Sequence, residues 1–358
     1  MLRSRRVWIG FAISLIFLGL FFFRTDFGEI WDSFKKANYA IAFASLPVYF
    51  AGIWVRTIRW QYLLRPIAKV STARLYPVVI IGLMANNLIP ARAGELVRAY
   101  LLGERERVSK VASLGTIAVD RLFDGITLIP MLVLVAAFVG GGEEFKADLL
   151  FFEFNVNFFE LGMIMAGLFG VALGALFVLA FSEAWRQRLD GLITRLTPAR
   201  LQPAIAGLAH SFFEGLQSLR SPVDLGVAWA MSLASWLLEA TMYYMVGVAF
   251  DVGVGFEYYL LITAAANLAI SVLASQGGIG PFEFVTKQTL ISAGVATSTA
   301  TAYAIGLHAL VLLPVILLGL YFLGTMGLSL GEMFRRSTDA SAAADPAGRL
   351  PQEEVPGS

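Results

Sequence analysis

The sequence predicts an all-α polytopic membrane protein with about six full transmembrane helices and two re-entrant helical hairpins in an inverted-repeat architecture. The first supporting observation is composition: of 358 residues, 58% are hydrophobic and 15% are charged, with a mean hydropathy of +0.72. Soluble domains carry about 25% charged residues, and a single core stops growing near ~250–300 residues. The second observation is that apolar residues form long uninterrupted runs. The third is that Pro and Gly break two further runs.

Composition also excludes several classes of function. A formal net charge of +1 provides no basic surface for nucleic acid. The absence of cysteine excludes disulfides, thiolate metal sites and a cysteine nucleophile. Because His210 and His308 lie far apart in the sequence, no metal site is expected, and no cofactor is predicted. Both histidines are interpreted as packing residues with satisfied hydrogen bonds or as surface residues.

Six full spans are predicted where apolar runs approach the ~20 residues that cross a bilayer. In chain order these runs are 7–23, 39–55, 112–139, 158–181, 225–250 and 300–323. The first run follows Arg3, Arg5 and Arg6, which favours a signal-anchor helix with a cytoplasmic N-terminus.

Two other apolar stretches, 75–102 and 258–292, contain interruptions that are not typical of a plain span. Residues 90–95 break the first stretch and residues 276–281 break the second. Each break leaves backbone N–H and C=O groups without helical partners, and at membrane depth these groups must be buried in protein or line a wet cavity. Each stretch is therefore interpreted as a half-helix, a turn and a second half-helix.

The distribution of basic residues predicts the orientation. With the N-terminus inside, most of the 27 Lys and Arg fall in cytoplasmic segments, as the positive-inside rule requires. Arg56 and Arg59 are among those assigned to the cytoplasmic side. The two halves then have opposite topologies, the plan on which many transporters place their substrate site near the midplane.

The resulting organisation has five parts. Residues 1–140 form the first membrane repeat, with the cytoplasmic-side hairpin at 75–102; 141–182 form an outer loop and the span that opens the second repeat; 183–222 form a cytoplasmic amphipathic linker; 223–330 complete the second repeat, with the outer-side hairpin at 258–292; and 331–358 form a disordered cytoplasmic tail. An ordinary cytoplasmic helix packed on the bundle is the alternative for the linker.

Three charges, Asp120, Arg121 and Asp124, lie at membrane depth in the third span. An ionisable side chain there costs ~2.5–3.5 kcal/mol on insertion scales unless it is paired or hydrated. Helical spacing places the three on one arc, so they are expected to face the bundle interior as one network. They are candidate substrate-binding residues, and the alternative is a structural ion pair that fixes this helix to a hairpin.

Four further candidates, Asn87, Arg92, Glu95 and Arg98, surround the first break. Pro90 favours a helix start just after it, and the free N–H groups of that helix, together with Arg92, would suit a phosphate. In the alternative, Arg92 and Arg98 reach toward cytoplasmic water without a ligand. Glu95 would then only complement the helix dipole.

The remaining substrate-binding candidates, Gly277, Gly278, Gly280 and Glu283, mark the second break. A Gly-rich turn followed by Pro at a helix start again exposes N–H groups. No strand precedes the turn and no Gly-Lys-Ser/Thr ending follows it, which excludes a nucleotide loop. The alternative is close helix packing at a hairpin apex, with Lys287 neutralising Glu283.

The motifs Asn87-x-x-Pro90-x-Arg92-x-Gly94-Glu95-x-x-Arg98, Asp120-Arg121-x-x-Asp124 and Gly277-Gly278-x-Gly280-x-x-Glu283 occur in this order. With this set the chain resembles, over nearly its whole length, the lysylphosphatidylglycerol synthase transmembrane region family of flippase-like membrane proteins. The second motif of that family usually begins with Glu, so Asp120 keeps the acid but shortens it. The resemblance implies a multi-pass protein of a prokaryotic cytoplasmic (inner) membrane, tied to lipid translocation. In two-domain members the region is joined to a soluble aminoacyl-transferase domain, and this chain is expected to be a stand-alone member without it.

Together these features predict a flippase-like transporter that moves an anionic or zwitterionic lipid, either a phospholipid or a polyprenyl-linked lipid, across the cytoplasmic membrane. Both termini are expected in the cytoplasm. An enzymatic activity is less expected, because no soluble catalytic domain is evident. The expected partners are membrane lipids, a second copy of the chain and a lipid-modifying enzyme. Two alternatives stay open: a membrane-embedded transferase acting on a lipid-linked substrate, and a scaffold or regulator of a lipid-modifying enzyme.

Overall fold

The computed structural model describes residues 5–22, 26–89, 93–140, 145–149, 152–156, 182–196, 202–273 and 275–327, and helical positions scattered between 163 and 181. The helices are α1 (Arg5–Phe22), α2 (Phe27–Lys36), α3 (Tyr39–Ala44), α4 (Leu46–Leu64), α5 (Thr72–Leu88), α6 (Gly94–Glu106), α7 (Lys110–Gly140), α8 (Glu183–Leu196), α9 (Gln202–Gly215), α10 (Pro222–Ala249), α11 (Phe256–Leu273), α12 (Pro281–Ser292) and α13 (Thr297–Thr325), with 3₁₀ turns at Leu216–Arg220 and Gln276–Gly278. A short antiparallel ribbon joins β1 (Phe145–Leu149) to β2 (Phe152–Val156). The predicted tail, 331–358, lies outside the described residues.

The chain is an all-α polytopic membrane protein, as predicted. Among the described residues, the segments long and apolar enough to cross a membrane are Tyr39–Leu64, Lys110–Val139, Pro222–Ala249, Phe256–Leu273 and Thr297–Thr325. Four of these contain or overlap predicted full spans, and α1 covers the first predicted span. The predicted span at 158–181 falls mainly on residues that are not described, so the count of six stays a prediction.

The second span is longer than predicted, because α4 continues past two arginines to Leu64. The apolar pattern ends this span at Val55 and assigns Arg56 and Arg59 to the cytoplasmic side. In the structure both arginines are buried and paired with acids on other helices. Because a paired arginine does not have to leave the membrane interior, it does not end the helix.

Both predicted breaks are present in the structure. Helix α5 ends at Leu88 and α6 begins at Gly94, whereas α11 ends at Leu273 and α12 begins at Pro281. In each case the two helices flanking the break pack against each other. Since α11 is itself long enough to span, the re-entrant geometry of the two pairs stays a prediction.

Helices from the two halves of the chain pack directly against each other. Helix α4 lies along α10, α5 along α13, and α7 along α11. Glycines allow this close approach: a β-carbon on Gly52 would lie 3.4 Å from the carbonyl oxygen of Ser235, and one on Gly319 would collide with Met84. The two breaks therefore belong to one packed bundle, while the inverted repeat stays a prediction.

The segment between the halves is helical in its described part. Helix α9 packs against α7, where a β-carbon on Gly115 or Gly215 would collide with the backbone of the other helix. Helix α8 exposes Trp185 and Leu192. These side chains fit an amphipathic linker at 183–222, whose position at the membrane surface stays a prediction.

Candidate functional site

A cavity of about 430 Å³ lies between the two helix breaks. Its polar lining comprises Tyr49, Arg56, Asn86, Asn87, Glu95, Arg121, Asp124, Glu239, Tyr243, Asn267, Ser271, Ser275 and His308, together with Gly277 and Gly278. Residues from both predicted hairpins and from the third span thus line one space. The predicted site residues in this lining are Asn87, Glu95, Arg121, Asp124, Gly277 and Gly278.

The most deeply buried charges surround Arg59. Its Nε donates to Oδ1 of Asp120 at 2.8 Å, and its Nη1 lies 2.8 Å from Oδ1 of Asp124. The guanidinium of Arg98 donates to the other oxygen of Asp120, at 3.2 Å and 3.3 Å. Asp120 is fully buried between two arginines, which offsets the cost of removing its charge from water. We call these four residues the arginine cluster; it joins α4, α6 and α7.

The side chain of Arg98 is packed against protein groups and is not exposed to water. Its guanidinium lies 4.1 Å from the centre of the Trp60 ring, a favourable cation–π contact. Its side chain crosses Gly82, where a β-carbon would collide with it. The Nε1–H of Trp60 donates in turn to Thr116 at 3.2 Å. Arg98 is therefore only 3% exposed. Its guanidinium does not reach water, contrary to the alternative interpretation.

A second group of charges lies at the cavity wall around Arg121. Its Nη1 donates to Oδ2 of Asp124 at 3.0 Å, and its Nε lies 3.4 Å from Oε1 of Glu95. Asn86 donates to the same Glu95 oxygen at 3.2 Å and accepts a bond from the Gly94 N–H at 2.8 Å. Asn86 thus fixes both the acid and the first turn of α6.

The three charges on α7 belong to one network, but Arg121 is not the residue that links the two aspartates. Asp124 contacts both Arg121 and Arg59, whereas Asp120 contacts Arg59 and Arg98. Successive residues of a helix point about 100° apart, so Asp120 and Arg121 face different neighbours. Arg59, on another helix, is the residue that links the two aspartates.

A third group of polar residues joins α4 to α10 and α11. Nη2 of Arg56 donates to Oε2 of Glu239 at 3.1 Å, and its guanidinium lies 4.4 Å from the centre of the Trp236 ring. The other oxygen of Glu239 accepts bonds from Tyr243 and Asn267, each at 3.2 Å. Sequence reasoning missed this group, although a lone acid inside the fifth predicted span was a signal for it.

Glu283 and His308 meet behind the second break. Oε2 of Glu283 accepts a bond from the Gly280 N–H at 2.8 Å, and Oε1 lies 2.7 Å from Nδ1 of His308. Nε2 of His308 lies 3.0 Å from the carbonyl oxygen of Gly277, and the ring stacks on Phe282 at 4.4 Å. His308 is buried and each of its ring nitrogens has a polar partner, which agrees with its interpretation as a satisfied packing residue.

The glycines of the second break have both a packing role and a place beside the cavity. Gly277, Gly278 and Gly280 have φ angles of 62°, 75° and 96°, a region that residues other than glycine rarely adopt. A β-carbon on Gly277 would lie 3.3 Å from the carbonyl oxygen of Asn87, so the two breaks touch. One on Gly280 would lie 2.9 Å from the carbonyl oxygen of Ser14 on α1.

Two predicted features are not found as expected. Arg92 lies outside the described residues, so its predicted role stays a prediction. Lys287 does not neutralise Glu283: its ammonium donates at 2.6 Å to the carbonyl oxygen of Phe21, while His308 is the partner of Glu283. The C-terminal end of a helix carries the negative end of the helix dipole, which favours a cation there.

The charges around the cavity are balanced. In the described part of the chain, four arginines pair with four acids: Arg56, Arg59, Arg98 and Arg121 with Glu95, Asp120, Asp124 and Glu239. Five buried polar atoms of cavity residues have no hydrogen-bond partner there: Nε of Arg56, Nε of Arg121, Oδ1 of Asp124, Nε1 of Trp236 and Oγ of Ser275. Across the same described residues, no group of three or more His, Asp or Glu side chains is arranged to hold a metal ion. A charged ligand in the cavity must therefore exchange partners with an existing pair.

Comparison with known proteins identifies the family of this chain. Residues 7–319 match the family described as lysylphosphatidylglycerol synthase TM region. The chain is 24% identical over 289 residues to a UPF0104 membrane protein of Methanothermobacter thermautotrophicus, covering 77% of this chain and 82% of that protein. It is 25% identical over 320 residues to glycosyltransferase AglD of Haloferax volcanii, covering 84% of this chain and 51% of that protein. The chain therefore belongs to the lysylphosphatidylglycerol synthase TM region family of integral membrane proteins.

Proposed function

We propose that this chain translocates a lipid with an anionic or zwitterionic headgroup, either a phospholipid or a polyprenyl-linked lipid, across the cytoplasmic membrane. The observation that carries the proposal is the cavity at which the two helix breaks meet. Its volume of about 430 Å³ lies in the lower part of the ~300–1,000 Å³ range of small-molecule pockets, which suits a headgroup whose acyl or prenyl chains stay in the surrounding lipid. Ends of broken helices near the midplane are the substrate-binding elements of many transporters.

Arg121 is the arginine best placed to exchange partners with a headgroup. Its side chain is 33% exposed, against 11% for Arg56 and 0% for Arg59. Its contact with Glu95, at 3.4 Å, is longer than its contact with Asp124. A phosphate in the cavity can replace Glu95 beside Arg121 and accept two parallel N–H bonds. Glu95 is then released to accept the cationic group of a zwitterionic lipid.

Reconstitution into vesicles containing headgroup-labelled phospholipids or a labelled polyprenyl phosphate tests the proposal. We expect Arg121→Gln to lower the translocation rate by about tenfold or more, because a hydrogen bond to a charged group contributes ~1.5–3 kcal/mol. Arg121→Lys keeps the charge and should retain part of the activity. Arg74→Gln is the matched control, since Arg74 pairs with Glu106 in an exposed ion pair outside the cavity. Equal rates for every headgroup, or equal rates in Arg121→Gln and Arg74→Gln, would overturn the proposal.

The proposal includes an orientation with both termini in the cytoplasm, which the distribution of basic residues supports. The sequence contains no cysteine, so a cysteine introduced at either end would be the only thiol. In right-side-out vesicles a membrane-impermeant thiol reagent should fail to label it until the membrane is opened. Labelling of intact vesicles would contradict the orientation.

A membrane-embedded transferase acting on a lipid-linked substrate is the second candidate, and the relative named glycosyltransferase AglD favours it. Incubation of the purified protein with labelled nucleotide sugars and polyprenyl phosphate tests this candidate. Formation of a lipid-linked sugar by the wild type, but not by Asp124→Asn, would support it over translocation.

A further inference from the structure

Glu283 and His308 connect the second break to α13 through hydrogen bonds in series. The carboxylate accepts from the Gly280 N–H at 2.8 Å and lies 2.7 Å from Nδ1 of His308. The second ring nitrogen, Nε2, lies 3.0 Å from the carbonyl oxygen of Gly277. Both nitrogens of the imidazole therefore face oxygen atoms.

This arrangement requires one exchangeable proton. A backbone carbonyl can only accept, so Nε2 of His308 must carry hydrogen. The contact between Nδ1 and Glu283 then needs a further proton, either on the imidazole, as an ion pair, or on the carboxyl group, as a neutral pair. Loss of that proton to water leaves two acceptors facing each other at 2.7 Å. One of the two bonds made by His308 must then break.

Because His308 contacts the second break, loss of this proton would change how the second break is held against the first. His308, Gly277 and Gly278 line the cavity, and Gly277 packs against the carbonyl oxygen of Asn87 at the first break. The bond from His308 to Gly277 thus holds the second break against the first. When the proton leaves, the imidazole keeps its remaining hydrogen on Nδ1, because a bond to the Glu283 carboxylate is charge-assisted and stronger than one to a backbone carbonyl. The turn at Gly277 then loses its attachment to α13.

Neighbouring titratable groups have hydrogen-bond partners of their own, so we assign the proton to His308 and Glu283. Lys287, one turn beyond Glu283, donates to the carbonyl oxygen of Phe21. Glu239 and Tyr243 bond each other on α10. Other titratable side chains on the elements packed against α12 and α13 include Asp224 and Tyr244 on α10, Glu257, Tyr258 and Tyr259 on α11, Tyr303 and Tyr321 on α13, Arg74 and Tyr76 on α5, and Glu29, Asp32, Lys35 and Lys36 on α2. Across the cavity lie Tyr49, Arg56, Glu95, Arg121 and Asp124.

We propose that Glu283 and His308 form a proton-binding site that couples lipid translocation to proton movement. With the proton bound, the hydrogen bond from His308 to Gly277 fastens the second break to α13 and keeps it packed against the first break. With the proton released, the break detaches and the cavity opens beside it. The coupling rests on the proposed translocation, whereas the proton-dependent fastening does not.

The fastening can be measured without any lipid transport. Because the chain has no cysteine, Ser275→Cys places a single thiol at the break, where Ser275 is only 2% exposed. Ser271→Cys, at an exposed cavity position on α11, is the matched control for the pH dependence of thiol chemistry itself. We expect the ratio of labelling rates, Ser275→Cys over Ser271→Cys, to rise several-fold as the pH is raised and the proton is lost from the pair.

Two variants distinguish the hydrogen bond between His308 and Gly277, which fastens the break, from the binding of the proton by the pair. The amide of Glu283→Gln can donate to Nδ1 of His308 while its oxygen accepts from Gly280, so this variant stays fastened and the labelling ratio should be low at every pH. His308→Ala removes the fastening, and the ratio should be high at every pH. A Glu283→Gln protein with the pH dependence of the wild type would overturn the proton site.

The coupling is tested in vesicles with an imposed pH gradient. We expect the gradient to change the translocation rate of the wild type several-fold and to leave that of Glu283→Gln unchanged. Lipid movement that ignores the gradient in the wild type would overturn the coupling and leave the proposed function standing. Conversely, pH-dependent labelling in a protein that moves no lipid would support the proton site and overturn the proposed function.

Discussion

The two helix breaks are supported by different chemistry. Beside the first break, Asp120 is held between Arg59 and Arg98. Behind the second break, Glu283 is held by His308. Arginine keeps its proton at every physiological pH, whereas histidine changes charge between about pH 5 and pH 8. On the proposed proton site, the first set of contacts persists at every physiological pH and the second is made and broken, so we expect the first break to be the support and the second the part that moves.

The strongest test of this contrast removes the centre of the arginine cluster. Arg59→Met leaves Asp120 and Asp124 buried with one partner fewer each, and we expect a loss of about 3–5 kcal/mol in the free energy of unfolding. Thermal unfolding in detergent measures it. Arg74→Met, which removes an exposed ion pair, should cost no more than about 1 kcal/mol. Equal unfolding temperatures for the two variants would mean that the arginine cluster does not support the fold.

A second test separates the helices that flank the first break. A β-carbon on Gly94 would collide with the carbonyl oxygen of Gly82, so Gly94→Ala should push α6 away from α5 at a cost of about 1–3 kcal/mol. Gly226→Ala on α10, where a β-carbon meets nothing within 4 Å, is the control and should be neutral or slightly stabilising. If both alanines behave alike, the first break is not rigid.

The corresponding change at the second break should be milder. Glu283→Ala removes two hydrogen bonds without leaving a permanent charge unpaired, so we expect a loss nearer to 1 than to 3 kcal/mol. Thermal unfolding in detergent measures this loss, and Glu283→Gln, which can keep both hydrogen bonds, is the matched control. A loss as large as that of Arg59→Met would contradict the contrast between the breaks.

The smallest expected effect concerns the attachment of α1 to the second break. Lys287→Met removes the cation that binds the carbonyl end of α1, which should cost about 0.3–1 kcal/mol. Faster amide hydrogen exchange confined to α1 is the expected readout, with the exposed Lys69→Met as the control. Unchanged exchange in α1 would show that Lys287 does not anchor it.

Interruptions of an apolar pattern were predictable, because sequence displays them directly. The Pro and Gly residues located both breaks, and the charges of α7 stood out from their apolar surroundings. Partners were not predictable, because they come from distant segments: Arg59 lies 61 residues from Asp120, and Arg56 lies 183 residues from Glu239. Runs of basic residues were read as a cytoplasmic flank, and this reading hid both arginines.

Two further residues could have been found with the reasoning that located Asp120. Glu239 and His308 are single ionisable residues inside predicted spans, and any such residue is a functional candidate until its partner is known. Both residues stand alone in the sequence, whereas the predicted site residues occur in clusters. The contact between Glu283 and His308, by contrast, depends on how α12 packs against α13, which no local pattern specifies.

The pairing of four arginines with four acids in the described part of the chain limits which substitutions this protein can tolerate. A lineage that lost Arg56 but kept Glu239 would bury a carboxylate without its counter-ion, so the two positions are expected to change together or to keep their signs. Covariation between these positions across relatives should therefore report which helices touch, even where overall identity has fallen to about a quarter.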